Sequence, residues 1–214
     1  MILSGRVIGY DGAVITIAAP FADTEQMIRK GIRTAQIKLD DGRTISSDQR
    51  RKIYATFNDI AEYTGYVPDE IKERMKYDFI AHTGCEEFSL SDVDMTTAKQ
   101  FLEYLIEFCL FWNIPTKDSL LERAPDVAKY IYYCAINKRC CISGKKAELH
   151  HVNAVGMGRS RKEIIHTGME VIPLSSSLHQ EIHKIGKQSF FEKYHVFGVT
   201  ADEEICKVYK LKGR

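Results

Sequence analysis

Apolar residues in the first 46 positions of the chain follow the spacing of short strands. Three segments show it: Arg6 to Tyr10, Val14 to Ala18 and Ala35 to Leu39. Each has alternating or β-branched apolar positions, the pattern of half-buried strands. Asp11-Gly12 lies between the first two segments and favours a tight hairpin turn. The pattern predicts a small N-terminal β-sheet, with a helix over Asp23 to Lys30.

From residue 46 onward, apolar positions recur at the spacing of helices. Ser46 and Gln49 have the spacing of a capping box, which begins the first of these helices. Pro68 suits the first turn of a second helix. Asp94 can cap a third helix, to about Trp112, which is apolar on most faces and is therefore expected at the centre of its domain.

The last hundred residues change character. After a helix from about Pro125 to Asn137, the pattern predicts a strand over Glu148 to Val152, a Gly-rich basic loop and a strand over Val171 to Leu174. A helix capped by Ser176 or Ser177 follows and carries His179 and His183. Together these elements predict an α+β protein. We expect two domains, over residues 1–115 and 116–214.

Composition and charge narrow the function classes. Of 214 residues, 44% are apolar and 28% charged, an ordinary globular mixture. The longest apolar stretch, Phe101 to Ile114, is interrupted by Glu103 and Glu107 and is too short to span a bilayer. We therefore expect an intracellular protein without a membrane segment, located in the cytoplasm, with its six cysteines reduced.

The net charge of +1 hides an uneven distribution of charged residues. Residues 47–115 carry a net charge of −6, whereas residues 116–214 carry +6. A basic C-terminal half suggests a surface for a polyanion on that part of the chain.

Histidine usage gives the sharpest chemical signal. Six of the seven histidines lie between His150 and His195. On a helix, His179 and His183 would share one face, where two imidazoles can bind one divalent ion. A structural pair is the commoner explanation for such a spacing alone. His150 and His151, on adjacent strand positions, would point to opposite faces, so that one can join the metal and the other can face a substrate.

The order of strand, His-His pair, loop and helix with His-x-x-x-His resembles the HNH endonuclease module, the ββα-metal finger, over residues 140–195. The resemblance implies that His150, His179 and His183 bind one divalent metal ion and that His151 is the general base. Zn²⁺ or Ni²⁺ is the expected bound ion, with Mg²⁺ or Mn²⁺ as alternatives for activity. The family's middle asparagine is replaced here by Glu170, with His166 as the nearby alternative.

Several residues around this motif are candidates for phosphate contacts or for a catalytic role. Arg159, Arg161 and Lys162 lie in the basic loop and would hold DNA phosphates, with Arg159 also counted among the catalytic residues beside His151 and Glu170. The alternatives are a solvated surface turn for the arginines and a solvated carboxylate for Glu170. We interpret His195 as a core or surface residue, and Cys140 and Cys141 as small buried apolar groups.

Residues 44–114 resemble the NinB-type recombination proteins of phages. The matching pieces include Ile45 to Lys52, Asp59 to Ala61, Phe88 to Ser91 and the helix Ala98 to Phe111. The resemblance implies binding of single-stranded DNA, alongside a single-strand-binding protein. For the chain as a whole, branched DNA and a second copy of the chain are further expected partners. Arg50, Arg51 and Lys52 form the basic cluster of this region, and a solvated first helical turn is the plainer interpretation of it.

These features predict a metal-dependent DNA endonuclease that acts in phage recombination or replication. The rival hypothesis is a non-catalytic, single-stranded-DNA-binding recombination mediator with a zinc-stabilised HNH fold. Glu170 in the asparagine position favours the rival, whereas His151 favours the enzyme. A metallopeptidase is a poor interpretation, because Gln180 follows His179 where such a helix carries glutamate.

Overall fold

The computed structural model describes residues 5–20, 24–31, 33–34, 37, 42–153 and 164–213. It has an α+β fold, as the sequence predicts, with two small antiparallel sheets in its described part. The chain divides into two compact units, residues 1–42 and 43–214. Within the described ranges, no helix is long and apolar enough to cross a membrane.

The first unit contains a hairpin and a helix. β1 (Arg6–Tyr10) pairs antiparallel with β2 (Ile15–Ala18), and α1 spans Thr24–Lys30. The Asp11 carboxylate accepts hydrogen bonds from the backbone N–H groups of Ala13 and Val14, which closes the predicted turn. The strand predicted over Ala35 to Leu39 falls almost entirely outside the described residues.

The second unit begins with a group of helices: α2 (Ser47–Thr64), α3 (Pro68–Thr83), α4 (Met95–Trp112), α5 (Leu120–Arg123) and α6 (Val127–Ile136). The capping box is confirmed, because the Ser46 hydroxyl accepts from the Gln49 backbone N–H and the Gln49 side chain accepts from the Ser46 N–H. Pro68 begins α3, and Asp94 caps α4. Local capping chemistry therefore sets where these helices begin.

Aromatic side chains fill the space between α2, α3 and α4. Phe57, Phe79 and Phe101 are fully buried, one from each helix. The ring centroid of Phe101 lies 5.9 Å from that of Phe57 and 5.1 Å from that of Phe79. α4 contributes apolar side chains on most of its circumference, which confirms its predicted central position.

A buried ion pair ties α5 to α2. Nη1 of Arg123 lies 2.7 Å from Oδ2 of Asp59, and both side chains are 3% exposed. Arg123 also donates to the Thr56 hydroxyl at 3.1 Å. Burial of both charges costs free energy, because each loses its contact with water. The additional hydrogen bond helps to offset that cost.

The C-terminal part folds around a second sheet. Its elements are β3 (Glu148–His151), β4 (Glu170–Leu174), α7 (Ser176–Ile185), α8 (Lys187–Tyr194), β5 (Val199–Thr200) and α9 (Glu203–Val208). The strands lie in the order β3-β4-β5, all antiparallel. One core cluster runs from Ile45 to Val196. This cluster includes residues on both sides of the predicted boundary between residues 115 and 116. The division into two domains at that boundary stays a prediction.

Candidate metal centre and active site

Three histidines meet between β3 and α7. His150 lies on β3, and His179 and His183 lie one turn apart on α7. One ligand atom from each residue lies within 4.8 Å of the others. The centroids of the three rings are 4.8 to 5.0 Å apart. The structure therefore brings together the three residues that the sequence nominates as metal ligands.

The local fold explains this convergence. His150 pairs with Ile172 of β4, which fixes the face of the sheet that His150 occupies. β4 leads through Ser175 directly into α7, and the Ser175 carbonyl accepts the first helical hydrogen bond from His179 N–H at 2.8 Å. Ser175, rather than the predicted Ser176 or Ser177, is the N-cap residue. Ile182 is buried and holds the helix against the sheet.

The environment of His150 suits a metal ligand. His150 is only 7% exposed. Its ring contacts the rings of His179 and His183 and makes no hydrogen bond to another described residue. Burial, followed by the neighbouring His179 and His183, lowers the pKa of His150 to about 4. The ring is therefore neutral at pH 7, the form that binds metal. A buried, neutral imidazole beside two others fits a divalent ion that accepts nitrogen ligands.

A carboxylate that sequence reasoning missed supports His179. The Nδ1 atom of His179 lies 3.0 Å from Oε2 of Glu148, and the Ser176 hydroxyl donates to Oε1 at 2.6 Å. The Ser176 bond, followed by the His179 bond, lowers the pKa of Glu148. An ionised carboxylate only accepts, so Nδ1 of neutral His179 carries the proton and Nε2 carries the lone pair. In the sequence, Glu148 lies two residues before His150 and therefore on the same face of the strand, which is the signal that could have identified it.

His151 meets a different histidine. Nε2 of His151 lies 2.8 Å from Nδ1 of His166. His166 is 6% exposed, and its backbone is held on both sides: its N–H donates to the Lys212 carbonyl and its carbonyl accepts from Met169 N–H. One ring nitrogen of the pair must donate and the other accept. When His151 donates through Nε2, its Nδ1 carries the basic lone pair.

Glu170 occupies the first position of β4 and pairs with Thr200 of β5. Its backbone carbonyl accepts from Val152 N–H at 2.9 Å. The stem of its side chain packs over Gly198, where an added Cβ would lie 2.6 Å from the Glu170 Cγ. Within the described residues, its carboxylate makes no hydrogen bond. The catalytic role of Glu170 stays a prediction.

The structure describes only one of the two groups of basic candidates. Arg159, Arg161 and Lys162 lie outside the described residues, so their DNA contacts stay predictions. In α2, Arg51 and Lys52 both pair with Asp48, at 2.7 and 3.0 Å. Arg50 turns elsewhere, and its Nη2 donates to the Ser91 carbonyl at 2.6 Å. The structure thus divides the basic cluster that the sequence treats as one.

The remaining candidates match their plainer interpretations. Cys140 and Cys141 are fully buried, and all six cysteines are free thiols. Burial raises the pKa of Cys134 to about 12 and that of Cys141 well above its ordinary value. These thiols are therefore protonated and behave as small apolar groups. His195 is an exposed residue in the left-handed conformation at the end of α8.

The geometry and the sequence point to one class, the nucleases of the HNH type. The family model described as "Putative HNHc nuclease" matches residues 22–212. The chain belongs to this HNHc nuclease family. No curated protein and no solved structure matches the chain.

Proposed function

We propose that this protein is a metal-dependent endonuclease that hydrolyses phosphodiester bonds in DNA. The observation that carries the proposal is the convergence of His150, His179 and His183 within 4.8 Å, with His151 on the next strand position held by His166. β3, β4 and α7 would form the ββα-metal finger of the resemblance. Membership in the HNHc nuclease family supports the reaction class.

His150, His179 and His183 would hold one divalent ion, and Glu148 would orient the His179 ring toward it. An all-imidazole set favours Zn²⁺ or Ni²⁺, while Mg²⁺ or Mn²⁺ are the alternatives for the active form. The bound ion supplies positive charge that neutralises the phosphate and the leaving 3′ oxygen.

The remaining groups would handle the proton and the strand. His151 would take a proton from the attacking water, which a neutral imidazole can do near neutral pH. His166 would act as a positioning residue, because its buried ring fixes the orientation of His151. Arg159, Arg161 and Lys162 would hold flanking phosphates.

The biological setting follows from the resemblances in the sequence. We place the activity in phage DNA recombination or replication, in the cytoplasm of the bacterial host. The NinB-like residues 44–114 would bind single-stranded or branched DNA, with a single-strand-binding protein or a second copy of the chain as partner. These assignments rest on the sequence alone.

A plasmid-nicking assay with a metal titration tests the proposal. Supercoiled DNA is incubated with metal-stripped protein to which Zn²⁺, Ni²⁺, Mg²⁺ or Mn²⁺ is added in turn. Nicking that requires metal and disappears in His151→Ala supports the enzyme. A wild type that fails to nick the plasmid with every one of these metals and at every pH would contradict it.

The second candidate is a non-catalytic recombination mediator whose HNH module is stabilised by zinc. The observation that favours it is Glu170 in place of the family's asparagine. This candidate requires bound metal and DNA binding without nicking. The same assay, run together with a binding measurement, separates the two.

A further inference from the structure

A cavity of about 320 Å³ opens between α2, α3 and the loop before α4. It shares no lining residue with the histidine cluster. Its lining includes Arg50, Tyr54, Lys72, Lys76, Ser89 and Ser91. Two helices and a loop therefore deliver three cations and two serine hydroxyls to one space, together with the carboxylate of Glu73.

The charges of this cleft are only partly compensated. Lys72 lies 3.4 Å from both Asp69 and Glu73. Within the described residues, Arg50 and Lys76 form no ion pair, and the buried Nε of Arg50 has no hydrogen-bond partner. The surrounding residues 47–115 carry a net charge of −6. Two cations without carboxylate partners among the described residues, Arg50 and Lys76, therefore lie together in the cleft, where they can attract an anion locally.

The size and lining of the cleft define the anion. Its volume lies at the lower end of the range for sites that enclose a small molecule or a single building block. Such a space is narrower than a DNA duplex, so paired strands would only lie across its mouth. The Tyr54 ring is 41% exposed at the cleft. An aromatic ring beside cations is the combination that binds a base and its phosphate in a single strand.

Building on the single-strand binding proposed above for residues 44–114, we propose that this cleft is where the strand binds, through a phosphodiester segment. Arg50 and Lys76 bind the phosphates, and Tyr54 stacks on a base. Arg51 and Lys52, which pair with Asp48, take no part. The site does not depend on cleavage at the histidine cluster.

The test measures fluorescence anisotropy of a labelled oligothymidylate with the full, metal-loaded chain, over a range of salt concentrations. The oligonucleotide is checked on a denaturing gel to show that it stays intact. In Arg50→Gln/Lys76→Met, the glutamine keeps a donor for the Ser91 carbonyl and the methionine keeps a stem over Phe88. We expect the Kd to rise about tenfold or more. The log–log salt slope should fall by about 1.4, or about 0.7 for each phosphate contact.

Arg51→Gln/Lys52→Met is the matched control, since it also removes one arginine and one lysine charge, here from α2 outside the cleft. It should keep the wild-type salt slope. Equal losses in the two double variants would overturn the proposal. Tyr54→Leu should weaken binding roughly tenfold through lost stacking, and an unchanged affinity would remove Tyr54 from the site.

Two further measurements separate the sources of the phosphate. Duplex DNA should bind the cleft variant as well as it binds the wild type. Thymidine monophosphate should compete only weakly. If the mononucleotide binds as tightly as the oligonucleotide, the cleft is a mononucleotide site and the strand proposal is wrong. A chain that fails to nick plasmid but passes these tests would reject the proposed nuclease and leave this site intact.

Discussion

His166 places its Nδ1 atom 2.8 Å from Nε2 of His151, although the two residues are 15 positions apart in the chain. The contact joins the end of β3 to the segment before β4. His166 is the more buried partner, and hydrogen bonds to Lys212 and Met169 hold its backbone. The ring orientation of His151 is therefore set by a residue outside the strand that carries it.

His166→Ala should lower nicking by up to about 100-fold while the bound metal stays at one ion per chain. Loss of the ring would remove the hydrogen bond that orients His151, and small misplacements are costly in catalysis. His166→Asn, which can also donate and accept, should recover part of the rate. Metal content and nicking rates are measured for both variants, with His195→Ala as the exposed control. Metal loss in His166→Ala would show a ligand role instead.

His151→Ala and His183→Ala should differ in what they lose. His151→Ala should keep the metal and lose about 100-fold or more of the cleavage rate, the usual contribution of a general base. His183→Ala should lose both, because it removes a ligand. Metal analysis of untagged protein beside the nicking assay checks this. Equal metal loss in both would mean that the division of roles between His150 and His151 is wrong.

Glu148→Gln should weaken metal binding by about 10- to 100-fold, the usual effect of removing a carboxylate behind a ligating histidine. The amide can no longer supply the negative charge that holds Nδ1–H of His179. Titration against a chromophoric chelator measures the affinity. Glu181→Gln is the matched control, since Glu181 lies on α7 but bonds Lys193 and Tyr194. Similar affinities for the wild type and Glu148→Gln would exclude a supporting role for Glu148.

Glu170→Asn should leave the pH profile of nicking where it is in the wild type. If the carboxylate lay against His151, its charge would favour the protonated imidazole and shift activity toward alkaline pH. The Glu170 side chain instead packs over Gly198. Rates for both proteins across the pH range decide the matter. A midpoint that moves to lower pH in the variant would show that Glu170 acts on the base electrostatically.

Arg123→Met should lower the free energy of unfolding by about 3–5 kcal/mol, because it leaves the buried Asp59 carboxylate without its partner. Urea denaturation followed by circular dichroism measures the change. Lys117→Met is the control, since Lys117 pairs with Glu62 at 2.8 Å on the exposed surface and should leave the midpoint essentially unchanged. Equal effects would contradict the role of burial.

Features that depend on neighbours in the chain could be predicted from the sequence. The Ser46–Gln49 capping box, the Asp94 cap and the shared face of His179 and His183 each need only three or four residues of helical geometry. The face of His150 follows from strand alternation. These short-range rules defined the helices and nominated the metal ligands before any packing was known.

Contacts between residues that are distant in the chain could not be predicted in the same way. The sequence offers His166 only as an alternative to Glu170, because no local period relates it to His151. Adjacency in the chain groups Arg50 with Arg51 and Lys52, although successive helical residues point in different directions. In the structure Arg50 joins Lys72 and Lys76 of another helix. Such groupings depend on how α2 packs against α3, which side-chain chemistry alone leaves open.

The faces on which His150 and His151 lie depend on the register in which the four-residue strand β3 pairs with β4. His150 faces Ile172 and His151 faces Val171 across the β3–β4 pairing, and the Val152 N–H bond to the Glu170 carbonyl extends the same alignment. A slip of one residue would turn every side chain of the strand to the opposite face. His151 would then point at α7 and His150 at the site of His166. A single inserted residue in β3 would thus exchange the proposed ligand and the proposed base while leaving every histidine in the protein.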